Sequence, residues 1–290
     1  MKRRPAWRSP VCVLLLALSV LLSAPAAGSG EAALRGYSPD NGYVYVLLGR
    51  YPQTAEGEVQ PILWRVLDTD DEKAILLSEY ILFARCMNAS LLAYREEIRG
   101  DFSRTDLCAY LNSEFAADAF TEAETAALLP VENFGKVFLP SADDLKNRSY
   151  GLGETLLNSK NAKKIMQDPG LRAWGTEWAI RNNGYDPAEY PDVKKKVQGS
   201  SGKEMPLKEL RLFEYSASRG SHSPYWTRDA SAHDGRHARC IKATGGIGHI
   251  EVGRDNEGVR PMVWLDRAAC TVASGSGEKD DPFVIVPLGE

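Results

Sequence analysis

The sequence predicts an α+β fold, a twisted antiparallel sheet with flanking helices and long loops. Three features carry that reading. Alternating and apolar runs rich in Val, Ile, Leu and Trp come first, segments of helical period follow, and short apolar runs cut by Gly, Asp and Asn turns close the chain.

The first element lies in GYVYVLLGRYPQ (42 to 53), with a strand near 43–48. In PILWRVLDTDDEKAILLSEY two apolar runs flank the polar turn Asp68 to Lys73, which predicts a hairpin of strands near 61–67 and 73–78. In SRTDLCAYLNSEF the period changes. Leu107, Leu111 and Phe115 recur at fourth positions with Tyr110 alongside, lining one helical face. Ser103 or Thr105 is the expected N-cap, and Asp106 suits the positive end of the helix dipole. TEAETAALL carries a capping box, Thr121 to Glu124, ahead of a second short helix. GKVFLPSADDLKN reads as a strand, a Pro stop and a third helix capped by Ser141. These helices are expected to pack on the first strands.

From about 150 to 220 the chain is polar and rich in Gly, Asn and Pro, with the basic triplet Lys194-Lys195-Lys196. A short helix around 171–181 and long loops are expected there, and such loops are usually functional or mobile. SPYWTRDAS, RHARCIKA, GHIEVG and GVRPMVWL then predict a four-stranded antiparallel meander. GSGEKDDPFVIVP adds a turn and one more strand.

The N-terminus reads as a secretory signal peptide over 1–26. Lys2, Arg3, Arg4 and Arg8 precede the apolar run Val11 to Ser23, and Ala24-Pro25-Ala26 supplies small residues for cleavage. A bilayer core needs about 20 helical residues, more than this run provides, so a retained membrane anchor is disfavoured. A linker over 27–42 and one domain over 43–287, with the insertion at about 150–220, complete the organisation. Cleavage removes four basic and no acidic residues, taking the formal charge from -4 to -8. An acidic chain repels nucleic-acid phosphates and anionic lipid, so neither is an expected partner.

Cys86, Cys108, Cys240 and Cys270 remain after cleavage. In an exported chain they permit two disulfides in any of three connectivities; the alternative is four small buried side chains.

All four histidines fall between His222 and His249, and His233, His237 and Cys240 are spaced four and three apart. On a helix that spacing places three zinc ligands on one face. Asp234-Gly235 between them signals a turn, which favours solvated side chains instead. The carboxylate pairs Asp70/Asp71, Asp143/Asp144 and Asp280/Asp281 sit in turns or at helix starts. The sequence contains no nucleophile elbow, phosphate loop, dinucleotide fingerprint or His-Glu-x-x-His pair. Trp226, Arg228, Arg254, Asp255 and Asn256 form the ligand-binding candidate, because an aromatic ring beside planar polar groups offers stacking and hydrogen bonding to a sugar or peptide. The competing reading puts Trp226 and Trp264 in the core and pairs the arginines with local carboxylates. Trp64, Arg65, Gly258, Arg260 and Trp264 are expected to be structural. Arg260 would fix the closing strand through a buried hydrogen-bonded pair, with Pro261 at an edge or bulge.

LGRYPQ, PILWRVLD, KAILLSEYIL, FSRTDLCAYLNSEF, KVFLPSADDLKN, WGTEWAIRNNG, YWTRD and GVRPMVWLD occur in an order that resembles a bacterial domain-of-unknown-function family, number 6273, of exported or surface proteins. The hallmarks are a W-R-V-L strand, a helix ending L-N-x-x-F, a W-L-R-type strand and a closing G-V-R-P-A-x-W-L. The match covers nearly all of 43 to 266. Thr227 stands where the family has an apolar residue, and Met262 replaces its alanine. The C-terminal half of that family is similar to the C-type-lectin-like fold of formylglycine-generating (sulfatase-modifying) enzymes. The resemblance implies a C-type-lectin-like core with ligand surfaces on loops, and no reaction. No cysteine pair aligns with the oxidising cysteines of those enzymes.

The expectation is an exported, secreted or cell-surface domain, non-catalytic and cofactor-free, that binds a glycan, peptide or envelope protein. The alternative is an enzyme of formylglycine-generating-like or zinc-dependent type, the latter using His233, His237 and Cys240. A third reading is a structural part of an envelope assembly with the insertion as contact surface.

Overall fold

A computed structural model describes residues 34–153, 169–181, 223–232, 235–242, 245–255 and 257–288. The expected signal peptide, the first part of the linker and most of the 150–220 insertion lie outside them. The described residues form a mostly β, mixed α+β structure of two sheets.

The larger sheet has eight strands. Its path runs β12 (Cys270–Ser274), β13 (Phe283–Pro287), β1 (Val44–Pro52), β2 (Val59–Thr69), β3 (Lys73–Ser78), β11 (Met262–Asp266) and β5 (Leu128–Leu129), with β6 (Val137–Phe138) also pairing with β11. The β2–β3 hairpin forms as expected, turning through Asp70, whose carboxylate accepts from the Glu72 and Lys73 amides. β1 and β13 pair in parallel, and the other pairings in this sheet are antiparallel. The smaller sheet orders β4 (Phe83–Ala84), β10 (Gly258–Val259), β7 (Tyr225–Ala230), β8 (His237–Ile241) and β9 (Ile247–Glu251).

The expected four-stranded meander is corrected at its last member. β7, β8 and β9 do form an antiparallel meander, but GVRPMVWL is split between the sheets. Gly258-Val259 returns to pair in parallel with β7, Arg260-Pro261 makes the crossing, and Met262 onward joins the large sheet beside β3. Proline has no N–H to give a ladder, which fits it to the crossing. Its carbonyl still accepts from the Ser78 amide at 3.0 Å. Gly258 meets a close approach here: a Cβ would stand 2.6 Å from the Pro224 carbonyl oxygen and 2.8 Å from Ile81.

After the short α1 (Leu91–Ala93), the helices α2 (Asp106–Leu111), α3 (Glu114–Ala119) and α4 (Glu122–Ala126) follow the expected segments, and Thr105 rather than Ser103 caps α2. They deliver Leu107, Leu111, Phe115 and Phe120 to a single core shared with the first strands. Trp64 is fully buried there, its indole N–H donating to the Leu48 carbonyl at 2.8 Å and its ring stacked on Phe120. The third expected helix is only a 3-10 turn, Asp144–Lys146, with the Ser141 hydroxyl accepting from the Asp144 amide. Around 171–181 the helix is α5 (Glu177–Arg181).

The capping box forms in full. The Glu124 amide donates to the Thr121 hydroxyl at 3.1 Å, and the Thr121 amide donates to the Glu124 carboxylate at 2.8 Å. The other Glu124 oxygen accepts from Gly49, at the bulge of β1. Gly49 has φ +65° and lies so close to Ala119 and Phe120 that no side chain fits. Thr121→Ala should therefore cost about 1 kcal/mol by loss of the cap; urea unfolding would read it, with an unchanged midpoint counting against a role for the box.

Candidate functional site

The sequence-predicted ligand residues do not share one surface. Trp226 is fully buried, and its indole N–H donates to the Arg85 carbonyl at 2.8 Å, so its ring belongs to the core. Arg228 is half-buried and tied to the Leu139–Asp144 segment. Its guanidinium donates to the Leu139 carbonyl at 2.6 Å and pairs with Asp144 at 2.8 Å. Arg254 is exposed and Asp255 half-buried on the turn after β9, while Asn256 lies outside the described residues. That turn is fastened to a different segment: Met87 and Asn88 donate to the Val252 carbonyl, and Arg85 donates to the Glu257 carbonyl.

The zinc arrangement is also corrected. His237 and Cys240 lie on a strand, where an odd separation sends side chains to opposite faces, and His233 falls outside the described residues. Among the described residues no three His, Cys, Asp or Glu side chains are grouped to hold a metal. Cys86, Cys108, Cys240 and Cys270 are free thiols, Cys86 in the loop after β4 and the other three on α2, β8 and β12. Burial pushes the Cys108 and Cys270 thiols up to about 11, so both are protonated and unreactive at neutral pH.

The structure instead assembles polar and aromatic side chains on one face of the large sheet. Tyr43, the residue just before β1, and Tyr45 within it are two apart, and Tyr45 stands in register with Arg65 of β2, which stands opposite Leu77 of β3. Two residues beyond Leu77 the same face continues with Glu79. Arg65 donates through Nε and Nη2 to one Glu79 oxygen at 2.9 and 2.7 Å, and Lys279, from the turn before β13, donates to the other at 2.7 Å. Tyrosine rings frame the network. The Arg65 guanidinium lies 4.4 Å from the Tyr43 ring centre, and the Lys279 ammonium lies 5.8 and 5.5 Å from those of Tyr45 and Tyr80. Tyr37 packs on Tyr43, whose hydroxyl donates to the Tyr150 carbonyl. All five tyrosines are half-buried, each with part of its surface in solvent.

Arg260 sits behind this network. It is fully buried, donating from Nε to the Ser78 carbonyl at 2.7 Å and from Nη1 to the Tyr225 hydroxyl at 3.3 Å, while Nη2 has no hydrogen-bond partner among the described residues. Burial opposes ionisation of Glu79, but the fields of Arg65 and Arg260 and the Lys279 hydrogen bond outweigh it and hold the carboxyl below its usual value. Three cations thus act on one carboxylate. Burial raises the Tyr43 and Tyr45 phenols, against the opposing field of Arg65, so both remain neutral donors at physiological pH.

Arg65 and Arg260 were expected to be structural, and both do anchor buried contacts. Glu79, Lys279 and the tyrosines were missed. The i, i+2 spacing of Tyr43 and Tyr45 was the available signal, since it puts both rings on one strand face. Gly258 and Trp264 keep their structural roles, Trp264 packing edge-on against Phe138 with Lys73 over its ring.

Two sheets sharing one helix-covered core, with a tyrosine-framed charged network on one face, define a mixed α+β domain with an aromatic and polar surface. The chain belongs to the family described as Domain of unknown function (DUF6273), whose model matches residues 71–267. No curated protein and no solved structure matches it. No helix among the described residues is long and apolar enough to cross a membrane.

Proposed function

We propose that this chain is an exported, non-catalytic module with a C-type-lectin-like core that binds a glycan or peptide of the cell envelope. The observation that carries the reading is the set of three part-exposed tyrosines, Tyr43, Tyr45 and Tyr80, whose rings lie against Arg65 and Lys279 of the Arg65–Glu79–Lys279 network, with Tyr37 packed on Tyr43. Aromatic faces stack on the apolar side of a sugar or peptide, while fixed charged groups orient its polar side. The cation excess of the network favours an acidic ligand. Export rests on the basic and apolar sequence pattern over 1–26, and N-terminal sequencing of the released protein should begin at Ala27.

A glycan and peptide array probed with the purified protein tests the function. Binding is expected, with Tyr45→Ala and Lys279→Ala each weakening it about tenfold, the scale of 1.4 kcal/mol. Both variants should keep the fold, because each side chain is partly in solvent. An array without any signal at high protein concentration would overturn the reading. So would a ligand whose affinity neither variant changes.

A further inference from the structure

A second polar surface lies on the smaller sheet. In the β8–β9 ladder, His237 stands opposite Glu251, Arg239 opposite His249, and Ile241 opposite Ile247. Because side chains alternate along a strand, these six occupy one face. The rings of His237 and His249 meet edge to face, 5.5 Å between centres. Beside them is a depression of about 400 Å³ lined by Ser231, Ala232, Arg239, Ile247, Gly248 and His249.

The backbone is held while the guanidinium is left over. The Arg239 carbonyl accepts from the buried Thr227 hydroxyl at 3.3 Å, which fixes the strand beneath. Among the described residues Arg239 forms no ion pair. The carboxylate on this face, Glu251, stands opposite His237, one step along the ladder from the Arg239–His249 pair. Ile247 supplies an apolar wall of the depression.

We infer that this depression is an anion-binding site in which Arg239 takes a carboxylate or phosphate group in a forked hydrogen bond, Ile247 packs against the attached carbon skeleton, and the His249 ring lies alongside as a reporter of binding. A planar guanidinium matches two oxygens of such a group at once, which an ammonium cannot do. The ligand is a small acid, with a uronate and a phosphate ester as the two possible sources of the anion. The site lies on a different sheet from the tyrosine face and does not depend on it.

Titration of the intact protein with glucuronate, inorganic phosphate and neutral glucose, followed through the histidine ring-proton resonances, tests this. A His249→Asn variant identifies the His249 signal. Glucuronate or phosphate should shift that signal saturably and glucose should not, with the tighter of the two anions identifying the source. Arg239→Ala should lower the affinity at least tenfold, and Arg239→Lys should restore only part of it. Unchanged thermal melting of both variants would show that the fold persists. Equal shifts from glucuronate and glucose, no saturable shift from either anion, or an affinity indifferent to Arg239→Ala would each overturn the site. Binding of array ligands at the tyrosine face should be unaffected by Arg239→Ala.

Discussion

Glu79→Ala is expected to destabilise the protein by about 3–5 kcal/mol, the scale for removing one partner of a buried ion pair. Glu79 is 8 % exposed and is the carboxylate on which Arg65 and Lys279 both converge. Its removal leaves Arg65, 9 % exposed, and the fully buried Arg260 without a nearby negative charge. Lys279, with half its side chain in water, can turn outward and lose little. The reverse deletion should be milder. In Arg65→Ala the carboxylate keeps Lys279 and the field of Arg260, so the cost should fall below that of Glu79→Ala. Urea unfolding of both single variants and the double variant would measure the asymmetry and the coupling between them. A loss under 1 kcal/mol for Glu79→Ala would mean that water, rather than this carboxylate, stabilises the arginines.

The same cluster shows where sequence reasoning succeeds and where it stops. Trp64 and the Thr121–Glu124 box were legible because their signals are local, an apolar run bounded by turns and a fixed spacing of three. Lys279 meets Glu79 across 200 residues of chain. No periodicity reports such a contact, because it is created by the parallel pairing of β13 with β1. Arg260 was read as one half of a buried pair, and burial was right. Its direct partners are a carbonyl and a phenol, with the carboxylate acting at longer range. The split of GVRPMVWL between two sheets was hidden because both halves are apolar and buried, leaving Pro261 as the local hint. His237 and Cys240 illustrate a choice of period. Spacings of four and three suit a helix, whereas pairing with β7 on one side and β9 on the other puts this segment in a strand, which separates the two side chains.

Glu257 should make the protein lose stability as pH rises, and Glu257→Gln should abolish that loss. The residue is 2 % exposed, and one carboxyl oxygen has no hydrogen-bond partner among the described residues. Burial raises its pKa from the usual 4.5 to about 8, against the opposing effects of a Cys240 hydrogen bond and the Arg254 charge. Between those two values the folded chain binds a proton that the unfolded chain has released. Stability therefore falls with increasing pH across this window, by about 1.4 kcal/mol per unit at most, is fully retained below it and reaches its lowest level above it. The whole effect is on the order of 3–5 kcal/mol. Glutamine has nearly the same shape and stays neutral, so the variant should match the parent near pH 4 and exceed it at pH 8.5. Glu79, whose pKa is lowered, acts in the opposite sense: its stabilisation is present above the unfolded value and is lost in acid. Only the difference between parent and variant isolates Glu257. Urea titrations of both proteins at pH 5, 6.5 and 8.5 would supply it, and parallel curves would show that the Glu257 carboxyl ionises without cost in the folded state. At high pH the parent should yield first at the turn carrying Glu257, since its backbone carbonyl holds the Arg85 amide. Faster amide exchange at Arg85 in the parent than in the variant at pH 8.5 is the local signature.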